Sequence, residues 1–317
     1  MQSLRYTRLF WLTLLVGNLV HAQTVGIVTT PAGSYSNSAG QAIAKVMVDK
    51  AKLRTVVQAQ AGTGFEEVET GAADFNLTNS FDITFYTTGT GEYAGRGAKP
   101  TMRHVATFNP YRVGMHVRAD SPIQSIAELK GKRLSSEFNA QKTIARIIEA
   151  HLSTAGLSYK DVKGVPTPNV VRQAEDFKAG KVDSLFFALG SASVKDAAAS
   201  VGGVRVLDVQ ADAEAVKRTQ ALLPGAYMIQ VSPAPGLDGI TKPTNLIAFD
   251  MAMAANAKVS DDVVYRTVKA LYENKADLVA TFAPFAGFDP KQMSKPLDSV
   301  PMHPGAAKFY KEVGLLK

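Results

Sequence analysis

The sequence has 317 residues, of which 46% are hydrophobic and 20% are charged, a composition that is typical of globular proteins and excludes a disordered or fibrous chain. It contains no cysteine, which excludes disulfide bonds, thiolate metal sites, thiol nucleophiles and a lipid anchor attached to cysteine. The formal net charge of +7 comes from scattered basic residues that do not alternate with aromatic residues, so we expect no nucleic acid partner.

The N-terminal segment, residues 1–22, has the pattern of a secretory signal peptide. Arg5 and Arg8 precede an apolar stretch, and Val20 and Ala22 place small residues at positions −3 and −1 of a cleavage site. The stretch is short for a membrane span, although an uncleaved anchor is the alternative, and no other window approaches the length of a span. We therefore expect cleavage on export and a soluble mature chain in the periplasm.

Strand-like and helix-like segments alternate from the start of the mature sequence. A buried strand at residues 24–29 is followed by a turn-rich loop and a helix with one apolar stripe. A second strand is expected at residues 56–59, and a glycine-containing loop and a short helix separate it from a third strand at 74–77. This alternation is typical of an open parallel α/β sheet.

The alternation resumes after residue 120. Ser125 and Glu128 have the spacing of a capping box, which predicts a helix that stops at Gly131. A strand at residues 132–135 is followed by an amphipathic helix, and a later apolar run at residues 184–188 reads as another buried strand. The two runs of strands and helices predict two similarly built lobes.

The last quarter of the chain departs from this alternation. An apolar strand at residues 245–253 precedes a long helix, which Ser260 is expected to cap and whose first turn is acidic. Pro304 stands at the start of a final helix with an apolar stripe. Because no strand follows these helices, we expect them to return and pack on the first lobe.

No recognised catalytic or metal-binding pattern is present in the sequence. The histidines lack the His-Glu-x-x-His spacing of zinc sites, and residues 33–37 lack the final glycine of a nucleophile elbow. Gly62 and Gly64 are not followed by the third glycine of a dinucleotide-binding loop. His116 lies in an alternating strand and is expected to be structural. We therefore expect no enzyme activity, no catalytic residues, no cofactor and no metal.

Uncharged polar residues recur in the loops that follow the predicted strands. In an open α/β sheet these loops lie at the carboxyl ends of the strands, where ligands bind, and helix N-termini there favour a carboxylate. A single residue of this kind is more often a cap or a turn, but the recurrence favours a pocket. The candidate ligand-binding residues are Thr30, Ser34, Tyr35, Gly62, Thr63, Asn79, Ser80, Ser136, Asn139 and Gln141.

Six stretches of the sequence share their residues with one known family. They are Gly33–Tyr35, Gly71–Phe75, Arg118–Ile123, Ile126–Arg133, Val263–Asn274 and His303–Tyr310. In these stretches the chain resembles the solute receptors of the TAXI branch of the tripartite ATP-independent periplasmic (TRAP) transporters. The resemblance extends over nearly the whole mature chain, and the last two stretches are its most specific part.

The resemblance implies an α/β fold, namely a two-lobe periplasmic binding protein of the type II-like class. Each lobe is then an open, mostly parallel sheet flanked by helices, and a hinge joins the lobes. Lobe 1 is expected to comprise residues 23–113 and 246–317, and lobe 2 residues 114–245. The hinge is expected near residues 111–117 and 239–248.

The resemblance also implies a function. The lobes would close on a small organic acid, a carboxylate or an amino acid, and a monomeric receptor would deliver it unchanged to TRAP membrane permease subunits. Carried over position by position, the contacts in the first lobe are Ser34, Tyr35, Asn79 and Ser80. Two alternatives stay open, an ABC-importer receptor for another small solute and a periplasmic hydrolase that uses an unrecognised serine.

One region departs from the family pattern. Where the family commonly has a glycine-rich turn, this chain has Glu137 to Gln141, which brings bulkier groups to the mouth of the expected pocket. Phe187, together with Phe138 and Phe186, either belongs to the core or flanks an aromatic or longer acid. We retain Phe187 as a candidate ligand-binding residue.

Overall fold

A computed structural model describes residues 24–317, so the predicted signal peptide at residues 1–22 lies outside the described part of the chain. Within residues 24–317 no helix combines the length and the apolar composition that crossing a membrane requires. In the same range, no group of three or more acidic or histidine side chains is placed to hold a metal ion.

Strands and helices alternate along most of the described chain. The strands are β1 (Val25–Thr29), β2 (Thr55–Ala59), β3 (Phe75–Asn79), β4 (Met102–Arg118), β5 (Arg133–Glu137), β6 (Lys163–Thr167), β7 (Leu185–Ala188), β8 (Val204–Val206), β9 (Tyr227–Val231) and β10 (Thr244–Asn256). The α-helices are α1 (Tyr35–Asp49), α2 (Phe65–Thr70), α3 (Ser80–Thr88), α4 (Thr143–Thr154), α5 (Val170–Lys178), α6 (Ala192–Ser200), α7 (Ala213–Leu222), α8 (Asp261–Glu273), α9 (Lys275–Thr281) and α10 (Pro304–Glu312). The predicted strands at 24–29, 56–59 and 74–77 are confirmed to within two residues at each end.

The first three strands form the parallel part of an eight-stranded sheet whose main order is β2-β1-β3-β10-β4-β7. β1 lies between β2 and β3, is parallel to both, and is buried along its whole length. The chain must cross over between parallel neighbours, and α1 and α2 make these connections. Asp74 stabilises the start of this sheet, since its carboxylate accepts a hydrogen bond from the Gly26 amide at 2.8 Å.

Two long strands, β4 and β10, run antiparallel to each other through the middle of the molecule. β3 pairs with the last residues of β10, whereas β9 pairs with its first residues. β7 and β8 pair with the last residues of β4. A register shift between Asp250 and Ala252 interrupts the β4–β10 ladder where β10 changes its other partner from β9 to β3, and a second shift follows between Met253 and Ala254.

The elements fall into two groups, one on each side of this interruption, and we call these groups lobes. The first lobe contains β1–β3, α1–α3 and α8–α10, and the second contains β5–β9 and α4–α7. The protein therefore has the predicted α/β fold with flanking helices, and its sheet is mixed. The lobe boundaries at residues 113 and 246 stay a prediction, because β4 and β10 pass through them without a break.

The second lobe contains a separate two-stranded parallel sheet of β5 and β6. The helix predicted between Ser125 and Gly131 is a single 3₁₀ turn, Ile126–Leu129, and Ser125 makes no side-chain cap bond. The Glu128 carboxylate instead accepts from the Gln124 amide at 2.8 Å. The capping-box prediction is therefore wrong in its bond pattern, and the predicted helix is present only as a 3₁₀ turn.

The last helices pack on the first lobe, as the sequence predicts. α10 begins at Pro304, and the Tyr310 hydroxyl donates to the Val105 carbonyl in β4 at 2.9 Å. α8 reaches α1, since Arg266 donates to the Ala51 carbonyl at 2.5 Å just after that helix. Ser260 precedes α8 without a side-chain cap bond, so that part of the prediction is wrong.

Candidate ligand-binding cavity

A cavity lies between the two lobes, beyond the carboxyl ends of β1 and β3 in the first lobe. Its empty volume is about 590 Å³, including the part that opens to solvent. The second lobe contributes its other wall from β7 and from the starts of α4 and α5. The lining residues are Thr30, Ser34, Tyr35, Ser36, Thr63, Thr78, Asn79, Asp82, Tyr111, Val113, Gln141, Thr143, Ile144, Ile147, Val170, Phe186, Phe187, Ala188 and Phe249.

A cluster of three hydroxyl groups lies where β1 leads into α1. The Thr30 hydroxyl donates to the Ser34 hydroxyl at 2.8 Å and lies 2.5 Å from that of Ser36. Ser34 is the N-cap of α1, because its hydroxyl accepts from the Asn37 amide at 3.2 Å. This leaves the amides of Tyr35 and Ser36 without a protein acceptor among residues 24–317. The positive end of a 15-residue helix therefore opens into the cavity.

Two tyrosines form the aromatic part of the first-lobe wall. The Asn109 side-chain amide donates to the Tyr35 hydroxyl at 2.6 Å, and the ring centroids of Tyr35 and Tyr111 are 5.0 Å apart. Burial raises the pKa of Tyr35 to about 12, against the opposing effect of the Asn109 hydrogen bond, and burial also raises the pKa of Tyr111. Both phenols are therefore neutral hydrogen-bonding groups at physiological pH.

One carboxyl group, that of Asp82, lies in the cavity wall and is 2% exposed. Asn79 caps α3 by accepting from the Asp82 amide at 2.8 Å, and its side-chain amide donates to the Asp82 carboxylate at 2.9 Å. Thr143 of α4, in the other lobe, donates to the second carboxylate oxygen. Burial raises the pKa of Asp82 to about 6, although the hydrogen bonds from Thr143 and Asn79 lower it.

The second-lobe wall is mostly apolar. The Gln141 side-chain oxygen accepts from the Val170 amide at 3.0 Å, which holds the start of α5 against the start of α4. Apart from Gln141 and Thr143, the wall consists of the apolar side chains Ile144, Ile147, Val170, Phe186, Phe187 and Ala188. Within the described range 24–317, no lysine, arginine or histidine lines the cavity. The two walls therefore differ, one polar with a single carboxyl group and the other apolar.

The structure brings together seven of the eleven predicted ligand-binding residues. Thr30, Ser34, Tyr35, Thr63, Asn79, Gln141 and Phe187 line the cavity.

The four other predicted residues lie outside the lining. Gly62 sits against the second lobe, where an added Cβ would lie 2.8 Å from the Ala140 carbonyl oxygen. Ser80, the first residue of α3, lines a separate groove, and Asn139 is exposed. Ser136 is half-buried within β5.

Sequence reasoning missed Asp82, the one charged residue that lines the cavity within residues 24–317. Its only local signal is the spacing from Asn79, three residues earlier, which is that of a helix cap and its third helical residue. It also missed the aliphatic wall, because Ile144 and Ile147 read as the buried stripe of α4. Phe138, the third phenylalanine considered, is fully buried and does not line the cavity.

Comparison with known proteins agrees with the fold. The model of the NMT1-like family matches residues 27–314. A structure described as that of a periplasmic transporter matches with a TM-score of 0.60 at 14% sequence identity, covering 93% of this chain and 94% of that chain. This match shows that the two chains share a fold.

Two further solved structures are similar at a lower TM-score. The periplasmic aliphatic sulphonate binding protein SsuA from Escherichia coli matches with a TM-score of 0.48 and 16% identity, covering 92% of this chain and 88% of that chain. A TctC solute binding protein from Polaromonas matches with a TM-score of 0.49 and 13% identity, covering 94% of this chain and all of the other.

Proposed function

We propose, from the premise that this chain belongs to the NMT1-like family, that it is a solute receptor. In this proposal the two lobes close on a small organic acid, and the protein later releases that acid chemically unchanged to a membrane transporter. The observation that carries the proposal is the cavity between the lobes, into which the N-terminus of α1 opens. The residues we propose as ligand contacts are the seven predicted ones that line it.

The chemistry of the first-lobe wall supports an acidic ligand. The amides of Tyr35 and Ser36 are free to donate, and the hydroxyl groups of Thr30 and Ser34 lie beside them. Backbone amides at the start of a helix bind a carboxylate or a similar anion without a cationic side chain. The acid group of the ligand therefore binds at the start of α1.

The same wall supports binding rather than catalysis. A serine nucleophile needs a general base within hydrogen-bond reach, and histidine is the usual one. The hydroxyl groups of Ser34 and Thr30 bond to each other, and the cavity lining in residues 24–317 contains no histidine. We propose on this basis that the ligand leaves unaltered.

The membrane partner we propose is a TRAP permease, with the receptor acting as a monomer in the periplasm. The support for the permease is the resemblance of residues 263–274 and 303–310 to TAXI-type receptors. Neighbouring genes test this part directly. A large multi-span permease gene without an ATPase gene supports it, and an ATPase gene beside the receptor gene assigns the protein to an ABC importer.

Isothermal titration calorimetry of the mature protein tests the binding function. The panel contains neutral and acidic amino acids, monocarboxylates, dicarboxylates and sulfonates. We expect at least one acid to bind, and Ser34→Ala to weaken it by about tenfold because one hydroxyl and the α1 cap are lost. Ser200→Ala, an exposed serine of α6, is the matched control and leaves the affinity unchanged. No heat of binding with any acid at millimolar concentration contradicts the proposed function.

A further inference from the structure

We propose that the ligand carries a protonated amine that binds the Asp82 carboxylate, and that it is an α-amino acid with an apolar side chain. This inference rests on the proposed function and specifies the class of acid. It depends on three features of the cavity, namely the buried carboxylate without a positive partner, the two polar anchors that follow neighbouring strands and the apolar second wall.

The first feature is that Asp82 lacks a positive partner among residues 24–317. Within this range its carboxylate receives hydrogen bonds only from the neutral Asn79 and Thr143 side chains, one on each oxygen. A carboxylate accepts up to about four hydrogen bonds, so both oxygens retain capacity for further donors. A buried charge is costly unless it is paired, so the site gains when a ligand brings a cation to it.

The charged and titratable groups around Asp82 do not supply that cation. Arg146 of α4 lowers the pKa of Asp82 and Glu92 raises it, but the two side chains form an ion pair with each other at 2.7 Å. The remaining titratable neighbours are the phenols of Tyr93 and Tyr111, which burial keeps neutral. The electrostatic effects of Arg146 and Glu92 on Asp82 are opposite and therefore largely cancel each other. The charge of Asp82 stays uncompensated.

The second feature is that the two polar anchors follow neighbouring strands. β1 and β3 are adjacent and parallel, with Val28 opposite Asn76, so β3 ends two residues beyond the level of Thr29, the last residue of β1. α1 begins after the loop that follows β1, Asp82 lies in the first turn of the helix that follows β3, and residues of both line the same cavity. An α-amino acid carries its carboxylate and its ammonium group on one carbon, so it suits two anchors that share one small cavity.

The third feature is the wall that faces these anchors. Ile144 and Ile147 of α4 and Phe186 and Phe187 of β7 offer no donor and no charge. Burying an apolar side chain of the ligand against them is favourable, because it removes apolar surface from water. A second carboxylate, as in glutamate or a dicarboxylate, would be buried there without a partner and near the negative Asp82, which is unfavourable.

Calorimetry with matched ligands tests the inference. We expect L-phenylalanine or L-leucine to bind, and 3-phenylpropionate, which lacks the amine of phenylalanine, to bind about 10- to 100-fold more weakly. L-Glutamate and succinate should bind more weakly still. In Asp82→Asn, which keeps the size of the side chain but has one acceptor oxygen instead of two, the affinities for phenylalanine and 3-phenylpropionate should become similar.

Thr143→Val is the control for a merely structural role of Asp82. It removes one hydrogen bond to Asp82 and retains the carboxylate, so the preference for phenylalanine over 3-phenylpropionate should persist, whatever the change in the affinity for each ligand. Thermal unfolding of both variants checks that they are folded. If Asp82 acts only as a helix residue, Asp82→Asn leaves that preference unchanged, which overturns the inference.

The pH dependence provides an independent readout. Asp82 becomes protonated as the pH falls through about 6, so the affinity for phenylalanine should decrease between pH 7.5 and 5.5. The affinity for 3-phenylpropionate should not decrease, because losing the Asp82 charge removes a repulsion. Binding of a dicarboxylate in preference to phenylalanine overturns this inference and leaves the proposed function intact, whereas binding of no acid at all overturns the proposed function itself.

Discussion

Two buried histidines of β4 make the folded protein sensitive to acid. His104 and His116 are fully buried, and desolvation lowers the pKa of each to about 4. An unfolded chain binds protons on these rings near pH 6.5, so the native state loses stability as the pH falls from 6.5 towards 4. The loss is at most about 3 kcal/mol for each ring. Asp82 acts in the opposite direction, because its raised pKa favours the native state at acid pH.

We expect the free energy of unfolding to decrease from pH 7 to pH 4.5 in urea titrations followed by circular dichroism. NMR of the imidazole protons shows the cause, since neither His104 nor His116 should titrate above pH 5 in the folded protein. The same rings in concentrated urea are the control and should titrate near pH 6.5. A folded-state titration of His104 or His116 between pH 6 and 7 would contradict this account.

At the scale of single residues, sequence reasoning places uncharged polar side chains better than charged ones. Ser34 and Asn79 were predicted as ligand contacts from their place after strands, and both prove to be helix N-caps that line the cavity. Asp82 lies inside a helix, where an acidic residue is normally a surface residue, and only the fold shows that α4 of the other lobe covers it. Whether a side chain is buried depends on long-range packing, so burial leaves no pattern in the local sequence.

At the scale of elements, the short helix α2 depends on a glycine at its start. Gly64 has φ +73°, a left-handed conformation, and a Cβ at this position would lie 1.7 Å from Cγ1 of the buried Val28. Gly71 ends the same helix at φ +82°, but a Cβ there would meet no atom within 4 Å. Substituting Gly71 therefore introduces backbone strain alone, whereas substituting Gly64 introduces backbone strain and a steric overlap with Val28.

We expect Gly71→Ala to lower the free energy of unfolding by about 1 kcal/mol, the cost of a left-handed alanine. Gly64→Ala adds the overlap with Val28, so its loss should exceed that of Gly71→Ala by about 1–3 kcal/mol. Urea unfolding midpoints of the two variants measure both effects. Equal losses in the two variants would show that Val28 moves away at no cost.

The elements that sequence reasoning missed are those with weak local patterns. β6 contains Gly164 and Pro166, which rarely occur in strands, and it is held by its parallel pairing with β5. β8 has only three residues and exists through its pairing with the end of β4. The strands at residues 24–29 and 184–188 were predicted because a continuous apolar run is itself a local property.

At the scale of the whole molecule, several contacts hold the lobes together around the cavity. Arg146 of α4 pairs with Glu92 at 2.7 Å, and both side chains are partly buried. On the opposite side, the Ser193 hydroxyl of α6 donates to the Gly33 carbonyl at 3.1 Å. These contacts join residues of α4 and α6 to loops of the first lobe.

We expect Arg146→Met, which keeps the length of the side chain, to shift the ligand-free protein towards an open form. Loss of one partly buried ion pair costs about 1 kcal/mol, which changes the ratio of closed to open molecules about fivefold. Small-angle scattering should show a larger radius of gyration for this variant, and saturating ligand should reduce the difference. Arg172→Met, which removes an ion pair within α5, is the control. An unchanged radius in Arg146→Met would contradict the role of this pair.

The two-lobe fold was predictable because two runs of alternating strands and helices are visible in the sequence. The path of the chain between the lobes was not predictable, since β4 continues from Met102 to Arg118 without a turn that could mark a boundary. Nor does the sequence show that β10 enters the sheet between β3 and β4, because strand order follows from pairing and not from composition. The lobe boundaries at residues 113 and 246 accordingly stay a prediction.

The place of β10 in the sheet has a consequence for biosynthesis. β3 ends at Asn79 and its neighbour β10 begins at Thr244, so a ribosome translates more than half of the polypeptide before the central strand of the first sheet exists. Until then, β3 and the start of β4 carry unpaired backbone groups, which attract other extended chains. The nascent chain therefore cannot complete this sheet for most of translation. During that time it stays accessible to holdase chaperones and can still pass through a narrow channel.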